Sequence, residues 1–435
     1  MRSRGTKIAF AALVGLSLLA AVFYFYAPGA FFSKGTETPK FRAGPSTELD
    51  LGQFFNAYWQ RPIPLQGAPP SFFSDKESSL GPDACGSCHA QQYADWKESL
   101  HSRAMGPGPW GQIIDLTKQD PAGAISCMTC HAPLSEQSPQ VAKAGDADGT
   151  LVANGAYDPQ LQLRGITCAA CHVRGHQRFG PPKAEGNITA KYPAGLPNHG
   201  GVQRTPYFER AEFCKDCHQF DPEYSLLVNG KPIQDTFREW QSSSWGKAGA
   251  ACQSCHMPER RHLWRGIHDR EWVKGAVRVE QSVEKNGSGA EGKLRLNLHV
   301  INAAVGHKFP TYLTPKIFVR AELLDQSGKA LPRTTQEGII GWDARFEDGE
   351  WKEYFDTRVA PGERFSKVFQ WQAFEGARKI RAWVEVHPDH FYHVHFYPPY
   401  LQGSNLSADG RGLIERALRE SGESVYVLYE NIVDL

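Results

Sequence analysis

The chain has 435 residues, with 48 Lys and Arg against 47 Asp and Glu, for a formal net charge of +1. Apolar residues make up 41% and charged residues 22%, which excludes a mainly disordered chain and a multi-span membrane protein. The balanced charge also lacks the basic excess of a nucleic-acid binder.

The first element is an uncharged apolar run at residues 8–26, about 28 Å long as a helix and close to the thickness of a bilayer core. Arg2, Arg4 and Lys7 precede it, so the positive-inside rule sends the rest of the chain outward. Residues 1–30 read as a transmembrane anchor. A cleaved signal peptide is the alternative, although its apolar core would be shorter and Ala27-Pro28-Gly29-Ala30 is a poor cleavage site. The expected location is the inner membrane, with a single N-terminal span and the bulk on the periplasmic side. Residues 31–80 are rich in Pro, Gly, Ser and Phe and read as a tether that gains order where it touches the next domain.

Residues 81–275 hold all 10 Cys. Each lies in a Cys-x-x-Cys-His pentapeptide: Cys85, Cys88 and His89; Cys127, Cys130 and His131; Cys168, Cys171 and His172; Cys214, Cys217 and His218; Cys252, Cys255 and His256. Chance would supply about 0.01 such pentapeptide, so five of them with no Cys left over exclude a disulfide framework. Zinc sites and redox dithiols are the competing chemistries. Neither explains a His directly after every second Cys, whereas covalent haem c does: two thiols add to the haem vinyl groups and the His ligates the iron. Five haems are expected. The intervals between motifs do not repeat and are rich in loops. The clearest helix is Ala90–Met105, with Tyr93, Trp96 and Leu100 on one stripe. Such a domain has little side-chain core, so the haems would supply much of its interior.

The sixth ligand separates a haem that carries electrons from one that binds substrate. Met105 is the best placed of the few methionines. Among the spare histidines, His101, His176, His199, His262 and His307 are the candidate distal ligands, with His268 behind them. His387, His390, His393 and His395 form a cluster, in which His393 and His395 would share one face of a strand. It reads as a rim beside a haem or partner, with a metal site as the alternative. Arg174, Arg260, Arg261 and Arg265 lie near the motifs and are candidates to pair with haem propionates.

From about residue 276 the period changes to two. Leu294, Leu296, Leu298 and Val300 alternate with polar residues, as do Ile380, Ala382, Val384 and Val386, and Phe365, Phe369 and Trp371 mark another strand. Asp348-Gly349 and Ala360-Pro361-Gly362 read as turns. An all-β immunoglobulin-like sandwich is expected over 276–400, followed at 401–435 by a helix (411–421) and a last strand (425–429). The whole is thus an α+β multidomain chain: a loop- and helix-rich haem domain, then a sandwich, behind an N-terminal transmembrane helix.

Asp83-Ala-Cys-Gly-Ser-Cys-His-Ala90 followed by Tyr93, Trp96 and Ser99-Leu-His101 resembles the opening of multihaem cytochromes c of the cytochrome c-554 type. Phe213–Phe220 and Cys252–Pro258 are similar to other motifs of that group, and Val305-Gly-His-Lys-Phe-Pro-Thr311 to a β-domain appended to some members. The resemblance implies closely packed, mostly bis-His haems that pass electrons between exported redox partners, with a quinol-linked donor as one option. It places His101, His176 and His199 at distal positions. The expected function is an electron relay rather than a catalytic oxidoreductase. The alternative is one open haem acting on nitrite, hydroxylamine, nitric oxide or a sulfur oxyanion.

Overall fold

The computed structural model describes residues 51–435 apart from 145, 147–148, 184–197, 222–226, 287–291, 373–375 and 404. The expected span at 8–26 and residues 31–50 of the tether lie outside the described residues. Among the described residues no helix is long and apolar enough to cross a membrane.

The chain is α+β, with a helix-rich first part and a sheet-rich second part. The first described element is helix α1 (Leu51–Tyr58), whose Phe54, Phe55 and Tyr58 are buried against Phe179 and Phe208. The Tyr58 hydroxyl donates to the Cys171 carbonyl at 2.7 Å. Helix α2 (Ala90–Glu98) is shorter than the sequence suggests. Ser99 turns extended, with φ −81° and ψ 162°, and its hydroxyl bonds back to the Trp96 carbonyl at 2.7 Å, a local alternative to continuing the helix. His101 therefore sits in a turn. Helix α3 (Pro107–Gln119) runs through Asp120, whose carboxylate accepts from Gly123 N, into α4 (Pro121–His131).

Four of the five Cys-x-x-Cys-His motifs lie wholly within helical turns: the end of α4, then Cys168–His172, Glu212–His218 and Cys252–His256. A helical turn stacks residues three and four apart on one face, so both thiols and the imidazole of each motif point the same way. Side-chain cores around them are small. One joins Met105, Ile113, Leu116, Ile125 and Met128; another joins Ile63, Leu134, Leu161 and Val173.

Among the described residues the sheet-rich part has eight antiparallel strands: β1 (Val277–Asn286), β2 (Lys293–Asn302), β3 (Lys316–Leu324), β4 (Gln336–Glu347), β5 (Glu350–Asp356), β6 (Arg364–Gln372), β7 (Lys379–His387) and β8 (Tyr426–Asp434). They form two sheets, in the orders β6–β2–β1 and β5–β4–β3–β7–β8. The alternating residues read from the sequence fill the space between them: Leu294, Leu296, Leu298, Val300, Phe369 and Trp371 from one sheet, Ile317, Val319, Ile380, Val384 and Val386 from the other. Asp348-Gly349 is a two-residue hairpin turn between Glu347 and Glu350, with positive φ at both residues (56° and 86°), as a type I′ turn requires.

Between β7 and β8 the chain leaves the sandwich. Residues 391–396 form a π-helical turn that continues as helix α5 (Tyr397–Gly403), followed by helix α6 (Ala408–Glu423). His393 and His395 therefore do not share a strand face. The aromatic spacing wins locally, because Phe396, Tyr397 and Tyr400 bury against Ile414 and Ala417 of α6. Helix α6 then packs on α3. The approach is close enough that a Cβ on Gly111 would lie 2.9 Å from Ile414 Cδ1, and one on Gly108 would collide with the Tyr397 hydroxyl.

Candidate functional site

One cavity of about 3520 Å³ runs through the helix-rich part, several times the ~300–1,000 Å³ of a pocket for one small ligand. All ten cysteines and His89, His131, His172, His218 and His256 line it. Apolar side chains that stand exposed, Leu100, Leu163 and Trp245, also face it. The cavity is thus lined for large apolar groups attached at each motif.

The imidazoles carry the geometry. His131, His172 and His256 place Nδ1 2.7–2.8 Å from the carbonyls of Ala104, Phe179 and Arg265. His199, His262 and His307 place Nδ1 2.9–3.1 Å from the carbonyls of Gly201, Arg260 and Lys308. A carbonyl only accepts, so Nδ1 carries the proton and Nε2 keeps a free lone pair, the arrangement of a metal-bound histidine. Burial depresses the basicity of four of the cavity imidazoles: His172, His218 and His307 fall to about 4 and His101 to about 3. They stay neutral, as ligation requires.

Three motif histidines face a second imidazole. Ring centroids are 6.3 Å apart for His218 and His101, 6.1 Å for His172 and His262, and 6.4 Å for His256 and His307, the last pair within 8° of parallel. Two imidazoles each bound at about 2 Å to one metal between them have centroids about 6 Å apart. His199 also lines the cavity, and its basicity is lowered by burial and, among smaller causes, by Arg178 and His89. It is held at φ 43°, a strained conformation for a non-glycine residue. Its backbone N–H is fixed by the Glu77 carboxylate at 2.7 Å. The residues present therefore fit haem c at each motif.

The structure does not bring His176 to this site. His176 is buried outside the cavity lining, with Nε2 2.9 Å from the Gly67 carbonyl, so the nitrogen a haem would use is occupied. His268 lines the cavity but directs Nε2 to Asp389 at 3.0 Å. Met105 is buried in a side-chain core outside the lining. Of the expected propionate partners, Arg174 is spent on the carbonyls of Tyr58, Ala170 and Val173, and Arg261 on Asp95. Arg260 and Arg265 reach the cavity but pair with Glu209 and Asp269. His387 pairs with Glu385 at 2.6 Å, and among the described residues no group of three or more His, Cys, Asp or Glu could hold a metal ion.

The motifs also touch one another. The Cys85 thiol contacts Cys168, Cys130 contacts Cys217, and Cys214 contacts Cys252. Sequence reasoning missed the backbone carbonyls behind His131, His172, His199, His256, His262 and His307, because nothing in side-chain identity announces them. They give a sharp expectation. His262→Ala should convert one haem from low-spin to high-spin, while His176→Ala should leave the spin-state spectrum unchanged; electron paramagnetic resonance of the oxidised protein checks both.

The family model for cytochrome c552 matches residues 68–274. Cytochrome c-554 of Nitrosomonas europaea is 26% identical over 145 residues, which cover 32% of this chain and 56% of that protein. The match thus spans little more than half of that curated relative. The solved structure of a penta-heme cytochrome c552 from Thermochromatium tepidum matches with a TM-score of 0.55 at 16% identity, covering 82% of this chain and 99% of that one, and so shares its fold.

Proposed function

Because residues 68–274 belong to the multihaem cytochrome c family, we propose that the chain is a pentahaem c-type cytochrome that relays electrons between redox proteins. Haem supplies a reversible one-electron iron couple, and the protein supplies attachment, axial ligands and a dry interior. The observation that carries this reading is the set of opposed imidazoles. It favours six-coordinate irons at the motifs of His172, His218 and His256, ligated by His262, His101 and His307. His199 takes the same role for His89.

The contacts between motifs support an order of haems. The first and third sites adjoin, as do the second and fourth and the fourth and fifth, and the Cys171 thiol is close to Cys214. The fourth site is then a junction. We read residues 8–26 as the membrane anchor and the bulk as periplasmic, facing exported redox partners. The sandwich is read as immunoglobulin-like: its sheets follow the strand orders A-B-E and C″-C′-C-F-G.

A second reading has an observation of its own. His131 lines the cavity with its Nδ1 on Ala104 O, which leaves Nε2 free, yet among the described residues none of the histidines assigned above is left to face it. The haem at Cys127 and Cys130 is therefore open, which suits an oxidoreductase acting on a small nitrogen or sulfur oxyanion. One experiment tests both readings. Mass spectrometry should count five haems, and resonance spectra of the oxidised protein should show low-spin iron for four of them and high-spin iron for one. Mostly high-spin iron would defeat the relay; entirely low-spin iron would defeat the open haem.

A further inference from the structure

The segment between β7 and β8 closes the end of the cavity that carries Cys127. Tyr312, Tyr392 and Tyr397 line it there, with Asp389, His268 and Arg416 beside them. Tyr392 stacks on Tyr397 at 5.4 Å and packs edge-on against Phe396 at 5.7 Å. The Tyr397 hydroxyl abuts Gly108 of α3, the helix that leads into the second motif. The Asp389 carboxylate accepts from or pairs with His268, which is partly exposed, at 3.0 Å. Arg416 is already neutralised by Glu420 at 2.6 Å.

Every phenol in this group is kept protonated. Burial, then Asp389, Tyr312 and Cys127, push Tyr392 up to about 12; burial and Asp389 raise Tyr312; burial, Tyr392, Asp389 and Glu420 raise Tyr397. A protonated phenol is a hydrogen-bond donor. Among the described residues, His131 has neither a facing ring nor a spare histidine assigned to it, and it shares its end of the cavity with this cluster of donors. The donors and steric access of a distal pocket decide what an open iron binds.

We propose that Tyr392, supported by Tyr312 and Tyr397, donates hydrogen bonds to an exogenous ligand at the open position of the haem held by Cys127, Cys130 and His131. The ligand class is a small iron-binding oxide, such as nitric oxide or nitrite, whose terminal oxygen accepts from a phenol. Asp389, fixed by His268, is a positioning residue that sets the orientation of these hydroxyls. The proposal rests on the open-haem reading and adds to it the identity of the donors.

The test uses the full haem-loaded protein. Carbon monoxide added to the reduced protein should bind at one haem per chain, and the C–O stretch should rise in Tyr392→Phe as the donor is lost. Nitrite affinity of the oxidised protein should fall about fivefold to tenfold, the value of one ordinary hydrogen bond. Asp389→Asn should shift the C–O stretch without changing the number of haems that bind carbon monoxide. Nitric oxide and nitrite titrations, run separately, assign the preferred ligand by which one loses more affinity in Tyr392→Phe. Carbon monoxide binding with an unchanged stretch and unchanged nitrite affinity would overturn the donor assignment and leave the open haem standing. No carbon monoxide binding in the unaltered protein would overturn both. Where Tyr392→Phe loses haem, Tyr312→Phe and Tyr397→Phe carry the same measurement.

Discussion

Cys214→Ser with Cys217→Ser is expected to unfold the helix-rich part, not merely to remove one haem. The fourth motif touches the second and fifth through its thiols, and His218 opposes His101 from a distant turn. A void of roughly 500 Å³ left there would cost about 12 kcal/mol at ~24 cal/mol per Å³. That is comparable with the whole stability of a domain, ~5–15 kcal/mol. The side-chain cores around the motifs are too small to offset it. Hydrogen exchange followed by mass spectrometry should show protection lost across residues 68–274, with β2, β3 and β7 still protected by their own core. Retained protection around the other four motifs would show that each haem site folds independently.

Arg358→Ala is expected to destabilise the protein by about 3 kcal/mol, the low end for breaking a buried ion pair. Arg358 has a side chain only 2% exposed and bonds Glu239 at 3.1 Å, Asp356 at 2.9 Å and the Thr311 carbonyl at 2.7 Å, with its guanidinium over Trp342. Removing it leaves a buried carboxylate at Glu239 and a half-buried one at Asp356. Burial already pushes Glu239 up to about 7, so that group can take up a proton and soften the loss. Asp356 keeps Lys231 at 2.9 Å. The same Glu239 accepts from Thr311 Oγ1 at 2.7 Å and Lys308 N at 3.2 Å, which holds the loop that presents His307. Denaturant unfolding should register the loss, and the low-spin signal of the fifth haem should broaden. Arg358→Lys should recover only part of the stability, because a lysine cannot form the fork to Asp356. An unchanged unfolding midpoint would remove the clamp from consideration.

The attachment residues were legible in the sequence because covalent chemistry demands an invariant spacing. The sandwich was legible because burial of one strand face imposes period two, as at Leu294–Val300. Distal partners were only half legible. His101, His262 and His307 come together across long stretches of chain, and only turns and backbone carbonyls decide which nitrogen is free. His176 has a suitable spacing and the wrong nitrogen occupied. The Tyr cluster was hidden behind the histidines between 387 and 395, since alternation suggested a strand where aromatic packing on α6 makes a π-helical turn.

The return of the chain between β7 and β8 has a consequence for biogenesis. The wall beside the second motif comes from residues between Asp389 and Ser424, and β8, which follows them in the chain, pairs with β7 at the sandwich edge. During synthesis, the motif at Cys127–His131 emerges some 260 residues before its cover. On the pentahaem reading, haem attachment is expected to reach this motif before its cover has been made. A chain cut short near residue 388 would still present five attachment motifs to the maturation machinery, but the second site would remain a shallow surface groove open to bulk water.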